Sequence, residues 1–202
     1  MLLKKKLPVV FLCMLCVLLT ACSMPKSAEE KPAAYTVTDI EGTVVDFPSS
    51  PKRIVTLSMS TDETMLGLVE PQRMAAVNTL LDDPVSSNVT GLVKEIPQRI
   101  GNPTVEEIMA LQPDLVVVPD WGDLTMVPSL REVGLKVIVC KGASNLAEIR
   151  ETIELLAAAA GVPERGQKLR AMMDAKLAEI QEKVAKIPQT ERKRVVLISL
   201  MS

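Results

Sequence analysis

The sequence predicts an α/β fold: a Rossmann-like lobe with a parallel sheet, then a long helix, then the start of a second α/β lobe. The first reason is a set of short, almost uninterrupted apolar segments, which read "RIVTLS" (53–58), "MAAVN" (74–78), "DLVVV" (114–118) and "KVIVC" (136–140). Strands of this kind are typical of parallel sheets that are buried on both faces. The second reason is that helix patterns lie between these segments, as the crossover connections of a parallel sheet require.

The folded part is predicted to open with a β-hairpin. Residues 35–48, "YTVTDIEGTVVDFP", alternate between apolar and polar side chains. Glu41 and Gly42 stand midway, where they would form a tight turn between two strands. The interior must be filled mainly by Leu, Val, Ile, Ala and the 11 methionines, because aromatic residues make up only 2% of the chain.

Three helices are predicted between the apolar strands from the signals at their ends. Ser60 and Glu63 have the spacing of a capping box, which predicts a helix that starts near Thr61. Two further helices are expected over 104–111 and 125–133. The end signals of these two helices are the box of Thr104 and Glu107, the stop at Pro113 and the stop at Gly134.

Two more helices are predicted after the fourth strand. The first spans 145–161, and the second runs from Pro163 to about Ile187 with a single apolar stripe at helical spacing. At 1.5 Å per residue the second helix reaches roughly 36 Å, long enough to act as a strut between two bodies. The segment "RVVLISL" (194–200) has the pattern of a buried strand, and we expect it to open a second α/β lobe that the chain otherwise lacks.

The first 22 residues have the pattern of a bacterial export signal. Lys4, Lys5 and Lys6 precede an apolar stretch over 7–19, which is shorter than the about 20 residues that a membrane-spanning helix needs. The sequence "LTAC", which ends at Cys22, resembles the lipobox of lipoproteins, where the cysteine is lipidated and becomes the new N-terminus. A plain signal peptide or an uncleaved anchor is the alternative.

The composition argues against several kinds of function. The net charge is −2, and Lys and Arg are scattered, so the chain has no electrostatic footprint for nucleic acid. It contains no histidine, which removes the commonest metal ligand and the commonest general base. Cys13 and Cys16 fall within the export signal, whereas Cys140 ends an apolar strand and is expected to be a small buried hydrophobe. Residues 23–34 are small and polar and are predicted to form a flexible tether.

Trp121 is the single tryptophan, and it follows the third apolar strand in the sequence "DLVVVPDWGDL". Parallel sheets bind ligands outside the carboxyl ends of their strands, which are followed here by residues 58–60, 78–79, 119–121 and 140–142. Trp121 therefore stands at the ligand-binding edge of the predicted sheet. A binding role is favoured over a place in the core.

The order of these segments resembles the substrate-binding proteins of ABC importers for iron chelates, haem and cobalamin. The resemblance covers the chain from Tyr35 onward, and its most specific parts are "RIVTLSMSTDE" (53–63) and "GNPTVEEIMALQPDLVV" (101–117). It implies two α/β lobes joined by one long helix, with a small-molecule chelate bound between them. It also implies a non-enzymatic protein without a cofactor of its own, which is held at the membrane by its lipid and delivers the chelate to an ABC permease and its ATPase subunits.

The resemblance points to the loops after the strands as the ligand surface of the first lobe. Carried over residue by residue, this surface consists of Ser58, Met59, Ser60, Asn78, Leu80, Asn102, Asp120 and Trp121. Ser60 is equally consistent with a helix cap, and Asn102 with a turn. Met59 is favoured as packing and Asp120 as a solvated loop charge, whereas Trp121 offers a flat apolar face with an N–H group at its edge.

Three other functions compete with this interpretation. A dinucleotide enzyme would need a glycine-rich turn after the first strand, where this chain has "SMSTDE". A receptor for Zn²⁺ or Mn²⁺ with related architecture would coordinate its ion through histidine and carboxylate groups, and the chain has no histidine. The third alternative is a surface lipoprotein without a transport role.

Overall fold

The computed structural model describes residues 34–196. The strands in this part of the chain are β1 (Tyr35–Thr38), β2 (Val44–Phe47), β3 (Ile54–Thr56), β4 (Met74–Asn78), β5 (Arg99–Ile100), β6 (Leu115–Pro119) and β7 (Val137–Cys140). The α-helices are α1 (Met59–Leu68), α2 (Val105–Ala110), α3 (Met126–Glu132), α4 (Leu146–Ala159) and α5 (Pro163–Ala185). Short 3₁₀ helices span Pro71–Arg73, Thr79–Asp82, Leu92–Glu95 and Gln189–Glu191.

The strands β3 to β7 form one parallel sheet in the order β5-β4-β3-β6-β7. The chain moves outward from β3 to β4 and β5, and then crosses back to place β6 on the other side of β3. The strand order therefore reverses between β3 and β6, which is the position where open α/β sheets bind their ligands. The predicted fold, a parallel sheet with covering helices and a long helix after it, is confirmed.

Two aliphatic clusters cover the two faces of the sheet. Leu115 and Val117 of β6 belong to one cluster, and Val116 and Val118 belong to the other, because successive side chains of a strand point to opposite faces. Helices α1, α4 and α5 complete the first cluster, and α2 and α3 complete the second. Both faces of the sheet are thus buried, which explains why the sequences of the strands are continuous apolar runs.

The N-terminal hairpin is held to the sheet by one buried carboxylate. Strands β1 and β2 pair antiparallel as predicted, and the turn between them spans residues 39–43, with Gly42 at a φ of 81°. Asp39 accepts hydrogen bonds from two amides of this turn and from the amide of Val139 in β7. Its buried carboxylate also forms an ion pair with Arg131 of α3 at 2.7 Å. The hairpin is therefore fixed against the β7 edge of the sheet.

Helix α1 begins earlier than the sequence predicts. Ser58 is its N-cap, in extended backbone conformation, and its hydroxyl accepts a hydrogen bond from the amide of Thr61. The predicted box of Ser60 and Glu63 is wrong, because Ser60 already lies inside the helix and the Glu63 carboxylate accepts a bond from Ser87 instead. The capping residue is thus Ser58, only two positions after the last residue of β3, so the helix starts directly at the end of that strand.

The other helix signals are largely confirmed. The capping box of Thr104 and Glu107 is present in α2, with both reciprocal hydrogen bonds formed. Gly134 follows α3 with a φ of 84°, which is the left-handed conformation of a helix stop. Strand β5 was not predicted. It has only two residues, which is too short for an alternating pattern of apolar and polar side chains.

The long helix α5 packs on the lobe through its first half. Gly166 lies against Ala157 of α4 so closely that a Cβ atom on this glycine would be 2.4 Å from the Ala157 methyl group. Further along, Ile180 and Val184 of the predicted stripe are exposed. The helix ends at Ala185, close to the predicted end at Ile187. Nowhere in residues 34–196 does a helix have the length and apolar content needed to cross a membrane.

Several predictions fall on residues outside the described part of the chain. These are the export signal, Cys22 and most of the tether at the N-terminal end, and residues 197–200 of the predicted last strand at the other end. Arg194, Val195 and Val196 are described, and they lie in no strand.

Asp62 ties together the carboxyl ends of two central strands. Its fully buried carboxylate, near the start of α1, accepts a hydrogen bond from the Thr56 hydroxyl of β3. The other oxygen accepts from the amide of Asn78, at the end of β4, at 2.8 Å. Burial raises the pKa of the Asp62 carboxyl from 3.8 to about 7, and the two hydrogen bonds oppose this rise only in part.

We expect this carboxyl to make stability depend on pH. Because its pKa is higher in the folded chain, its stabilising contribution is complete below pH 3.8 and is lost as the pH rises through about 7. The free energy of unfolding of the wild type, relative to that of Asp62→Asn, should therefore fall between pH 4 and pH 7 by roughly 1.4 kcal/mol per pH unit at most. Urea denaturation across this range measures the difference.

Asp46→Asn is the matched control, because Asp46 is an exposed carboxylate on the hairpin. A difference between wild type and Asp62→Asn that stays constant from pH 4 to pH 7 would contradict the prediction.

Candidate functional site

Two hollows lie side by side at the carboxyl edge of the sheet, and Trp121 lines both of them. The first hollow has a volume of about 400 Å³ and is also lined by Ser60, Glu63, Thr64, Lys141 and Gly142. The second has a volume of about 410 Å³ and is also lined by Leu57, Asn102, Pro103, Asp123 and Met126. The indole therefore forms a partition between two open spaces, at the place where the strand order reverses.

The position of Trp121 follows from the turn that ends β6. Pro119 is the last residue of that strand, and its carbonyl accepts a hydrogen bond from the amide of Gly122 at 2.8 Å. Trp121 is the third residue of this four-residue turn, beyond the last residue of the strand. The residue is 64% exposed, which is unusual for the largest apolar side chain.

The structure separates the three predicted residues after β3. Ser60 is exposed and lines the first hollow. Ser58 is buried and occupied as the cap of α1, where its hydroxyl also lies 2.7 Å from the hydroxyl of Thr61. Met59 is half-buried and packs on the first aliphatic cluster. Only Ser60 of this group is thus placed for direct contact with a ligand.

The predicted residues after β4 line neither hollow. The side chain of Asn78 accepts a hydrogen bond from the amide of Leu80 and so caps the 3₁₀ helix Thr79–Asp82. Leu80 is 53% exposed but lines neither hollow. By contrast, Asn102 is exposed and lines the second hollow, as expected for a residue of the predicted ligand surface.

Asp120 has a structural role beside Trp121. One of its carboxylate oxygens accepts a hydrogen bond from the amide of Gly142 at 2.7 Å, and its own amide donates to the carbonyl of Cys140. The residue therefore joins the loops that follow β6 and β7. Burial, together with the nearby Asp120 carboxylate, raises the pKa of the Cys140 thiol to about 12, so this cysteine stays protonated.

Glu63, Lys141 and Gly142 are residues of the first hollow that the predicted ligand surface does not include. Lys141 and Gly142 directly follow β7, and the rule that ligands bind at the carboxyl ends of strands places residues 140–142 at this edge, although the resemblance did not assign them to the ligand. No sequence signal separates Glu63 from an ordinary helix residue. Its carboxylate is fixed by the hydroxyl of Ser87, a buried residue 24 positions away in the chain, at 2.7 Å.

The chemistry of the hollows favours binding. An exposed aromatic plane is flanked by one ammonium group at Lys141, one carboxylate at Glu63 and the hydroxyls of Ser60 and Thr64. Across residues 34–196 there is no group of three or more metal-ligating side chains that could hold an ion. The first hollow thus combines an exposed aromatic plane with one charge of each sign and two hydroxyl groups, which is the composition of a small-molecule binding surface.

The sequence model of a family described as "Periplasmic binding protein" matches residues 54–202. The match covers both hollows, the sheet and the long helix. The prediction that this chain is not an enzyme is confirmed, because its relatives and structural neighbours are solute-binding proteins.

Two curated relatives extend this similarity. The "Cobalamin-binding protein" of Halobacterium salinarum (strain R1) is 30% identical over 166 residues, which cover 77% of this chain and 41% of the relative. The "Probable siderophore-binding lipoprotein YfiY" of Bacillus subtilis (strain 168) is 25% identical over 190 residues, 90% of this chain and 57% of the relative. The chain thus spans about half the length of these proteins.

Solved structures share the fold. The heme-binding protein HmuT superposes with a TM-score of 0.64 at 22% identity, over 82% of this chain and 53% of its own. The molybdate-binding protein MolA of Haemophilus influenzae also gives 0.64, at 18% identity, over 78% of this chain and 56% of its own. At these identities the likeness concerns the fold alone.

We expect the buried hydroxyl of Ser87 to stabilise the rim of the first hollow. It donates to Glu63 and accepts from the amide of Val89. Ser87→Ala should lower the free energy of unfolding by about 1–3 kcal/mol, because two polar partners lose their bond. It should also speed hydrogen exchange at the Val89 amide.

Ser86→Ala is the control, since the hydroxyl of Ser86 bonds to the exposed carboxylate of Asp83. Denaturant unfolding and amide exchange measure both variants. Equal effects of the two substitutions would refute a special role for Ser87.

Proposed function

The chain belongs to the periplasmic binding protein family, and from this premise we propose that it is the extracytoplasmic solute-binding component of an ABC importer. It captures an iron–siderophore, haem or cobalamin-type chelate and delivers it to the permease and its ATPase subunits. The observation that carries the proposal is the exposed Trp121, placed between two hollows where the strand order of the sheet reverses.

The shape and chemistry of this edge support a chelate as the ligand. Each hollow measures about 400 Å³, and together they offer a surface wide enough for a macrocycle that rests on the indole. The relatives named for cobalamin and siderophores support the same class of molecule. Lys141 and Glu63 place one charge of each sign beside the indole, and these would orient polar groups at the rim of the ligand.

Direct contacts are proposed for a subset of the predicted residues. Ser60, Asn102 and Trp121 line the hollows and are assigned to the ligand. The other predicted residues are assigned supporting roles around them: Ser58 and Asn78 as caps, Met59 in packing, Leu80 at the outer margin and Asp120 in the loop below the indole.

The proposed organisation places this surface outside the membrane. The signal over 1–22 is cleaved before Cys22, whose lipid holds the protein at the envelope, and residues 23–34 form the tether. Residues 35–162 are the ligand-binding lobe, 163–187 the linking helix, and 188–202 the beginning of a second lobe that would close over the ligand.

A chelate should quench the fluorescence of Trp121, the single tryptophan of the chain. Titration of the purified protein with haem, a ferric siderophore and cobalamin should give saturable quenching with at least one of them. By calorimetry, Trp121→Ala should weaken that binding about tenfold or more, and Trp121→Phe less, because phenylalanine keeps an apolar ring.

Val85→Ala is the matched control, since Val85 is a 92% exposed apolar residue outside both hollows. The function proposed here fails if none of the three chelates binds. The site assignment fails if a chelate binds equally well to the wild type and to Trp121→Ala.

Cys22 is expected to carry the lipid. Cys22→Ser should abolish labelling by a clickable fatty acid in growing cells and release the protein from the membrane fraction, because the acyl chains provide the anchoring energy. Cys13→Ser is the control within the apolar part of the signal and should keep its label. Equal labelling of the wild type and Cys22→Ser would refute lipidation at this residue.

A further inference from the structure

Because Gly142 has no side chain, the Trp121 indole can occupy the space beside its Cα atom. A Cβ atom on Gly142 would lie 2.0 Å from Cδ1 and 2.5 Å from Nε1 of Trp121, far inside van der Waals contact. The glycines with a positive φ in the described chain are Gly42, Gly134 and Gly161, so backbone conformation is not what requires glycine at position 142. The requirement comes from the close approach of the indole.

A second contact fixes the same place. The Asp120 carboxylate accepts the Gly142 amide at 2.7 Å, and the Asp120 amide donates to the Cys140 carbonyl at 2.8 Å. These bonds continue the pairing of β6 with β7 beyond Pro119 and Cys140, which are the last paired residues of the two strands. The loop that carries Trp121 and the loop that receives its ring therefore behave as one unit.

We propose that Gly142 and Asp120 are positioning residues that hold the Trp121 indole as a fixed partition between the two hollows. This inference rests on the proposed function for its effect on binding, but not for its effect on the ring. An exposed tryptophan held by one loop alone would sample several side-chain rotamers, and its ordering would oppose ligand binding. Here the ring is ordered before the ligand arrives.

The proposal also assigns a determinant of ligand shape. A side chain larger than hydrogen at position 142 would push the indole out of its place and change the shape of both hollows. The contact between Gly142 and Trp121 thus decides whether a flat ligand meets the ring in one defined orientation.

The first test concerns the ring in the absence of ligand. In Gly142→Ala, time-resolved anisotropy of Trp121 should gain a fast local component on the picosecond-to-nanosecond scale, and quenching by acrylamide should increase. Gly91→Ala is the matched control, because nothing lies within 4 Å of a Cβ at Gly91 and its backbone is helical. Fluorescence of Gly142→Ala that matches the wild type would overturn the proposal.

A second variant tests the same contact if Gly142→Ala does not fold. Asp120→Ala removes the acceptor of the Gly142 amide and should produce the same fast component, whereas Asp120→Asn keeps a side-chain oxygen and should restore the slow motion of the wild type. Equal ring mobility in Asp120→Ala and the wild type would count against the role of Asp120.

The final test uses whichever of haem, a ferric siderophore or cobalamin binds the wild type most tightly. Gly142→Ala should weaken that binding about tenfold in the wild-type background and leave it unchanged in the Trp121→Ala background. An equal loss in both backgrounds would mean that the added methyl group obstructs the ligand directly, and would overturn the positioning role. If the wild type binds none of the three, the proposed function fails, while the fluorescence measurements still decide the positioning of the ring.

Discussion

The buried carboxylate of Asp62 is the interaction on which the rest of this edge of the sheet depends. It accepts hydrogen bonds from Thr56 at the end of β3 and from the amide of Asn78 at the end of β4, while its own backbone lies in the first turn of α1. A charged group is costly in this position, which its raised pKa reflects. Through these two bonds one side chain aligns the ends of β3 and β4 with the first turn of α1, from which Ser60 and Glu63 line the first hollow.

In the candidate site, some of the predicted residues line the hollows, and others hold the surrounding loops and helix starts in place. Trp121, Ser60 and Asn102 face open space, whereas Ser58, Asn78 and Asp120 use their polar atoms on backbone amides. These supporting residues therefore hold backbone groups of the loops and helix starts, and of the three only Ser58 is fully buried. Three of the polar residues predicted to bind the ligand at the strand ends thus hold loops or helix starts in place.

The pattern of the sequence predicted the strands and helices better than the exact geometry of the loops. The continuous apolar runs of β4, β6 and β7 match their burial on both faces, and the box of Thr104 and Glu107 formed as expected. The box at Ser60 did not form, because the hydroxyl of Ser58, and not that of Ser60, caps the helix by accepting a hydrogen bond from the amide of Thr61. The spacing of Ser60 and Glu63 could not show this, since the start of the helix depends on where the preceding strand leaves the sheet.

What the sequence by itself determined is the fold class and the edge of the sheet at which Trp121 stands. Both follow from local patterns, namely apolar runs, helix stops and the turn after Pro119. Only the tertiary structure decided that Gly142 lies against the indole, that Glu63 is fixed by Ser87 and that Leu80 lines neither hollow. These contacts join residues that are far apart in the chain, and no local pattern of apolar and polar residues encodes which distant loops will meet.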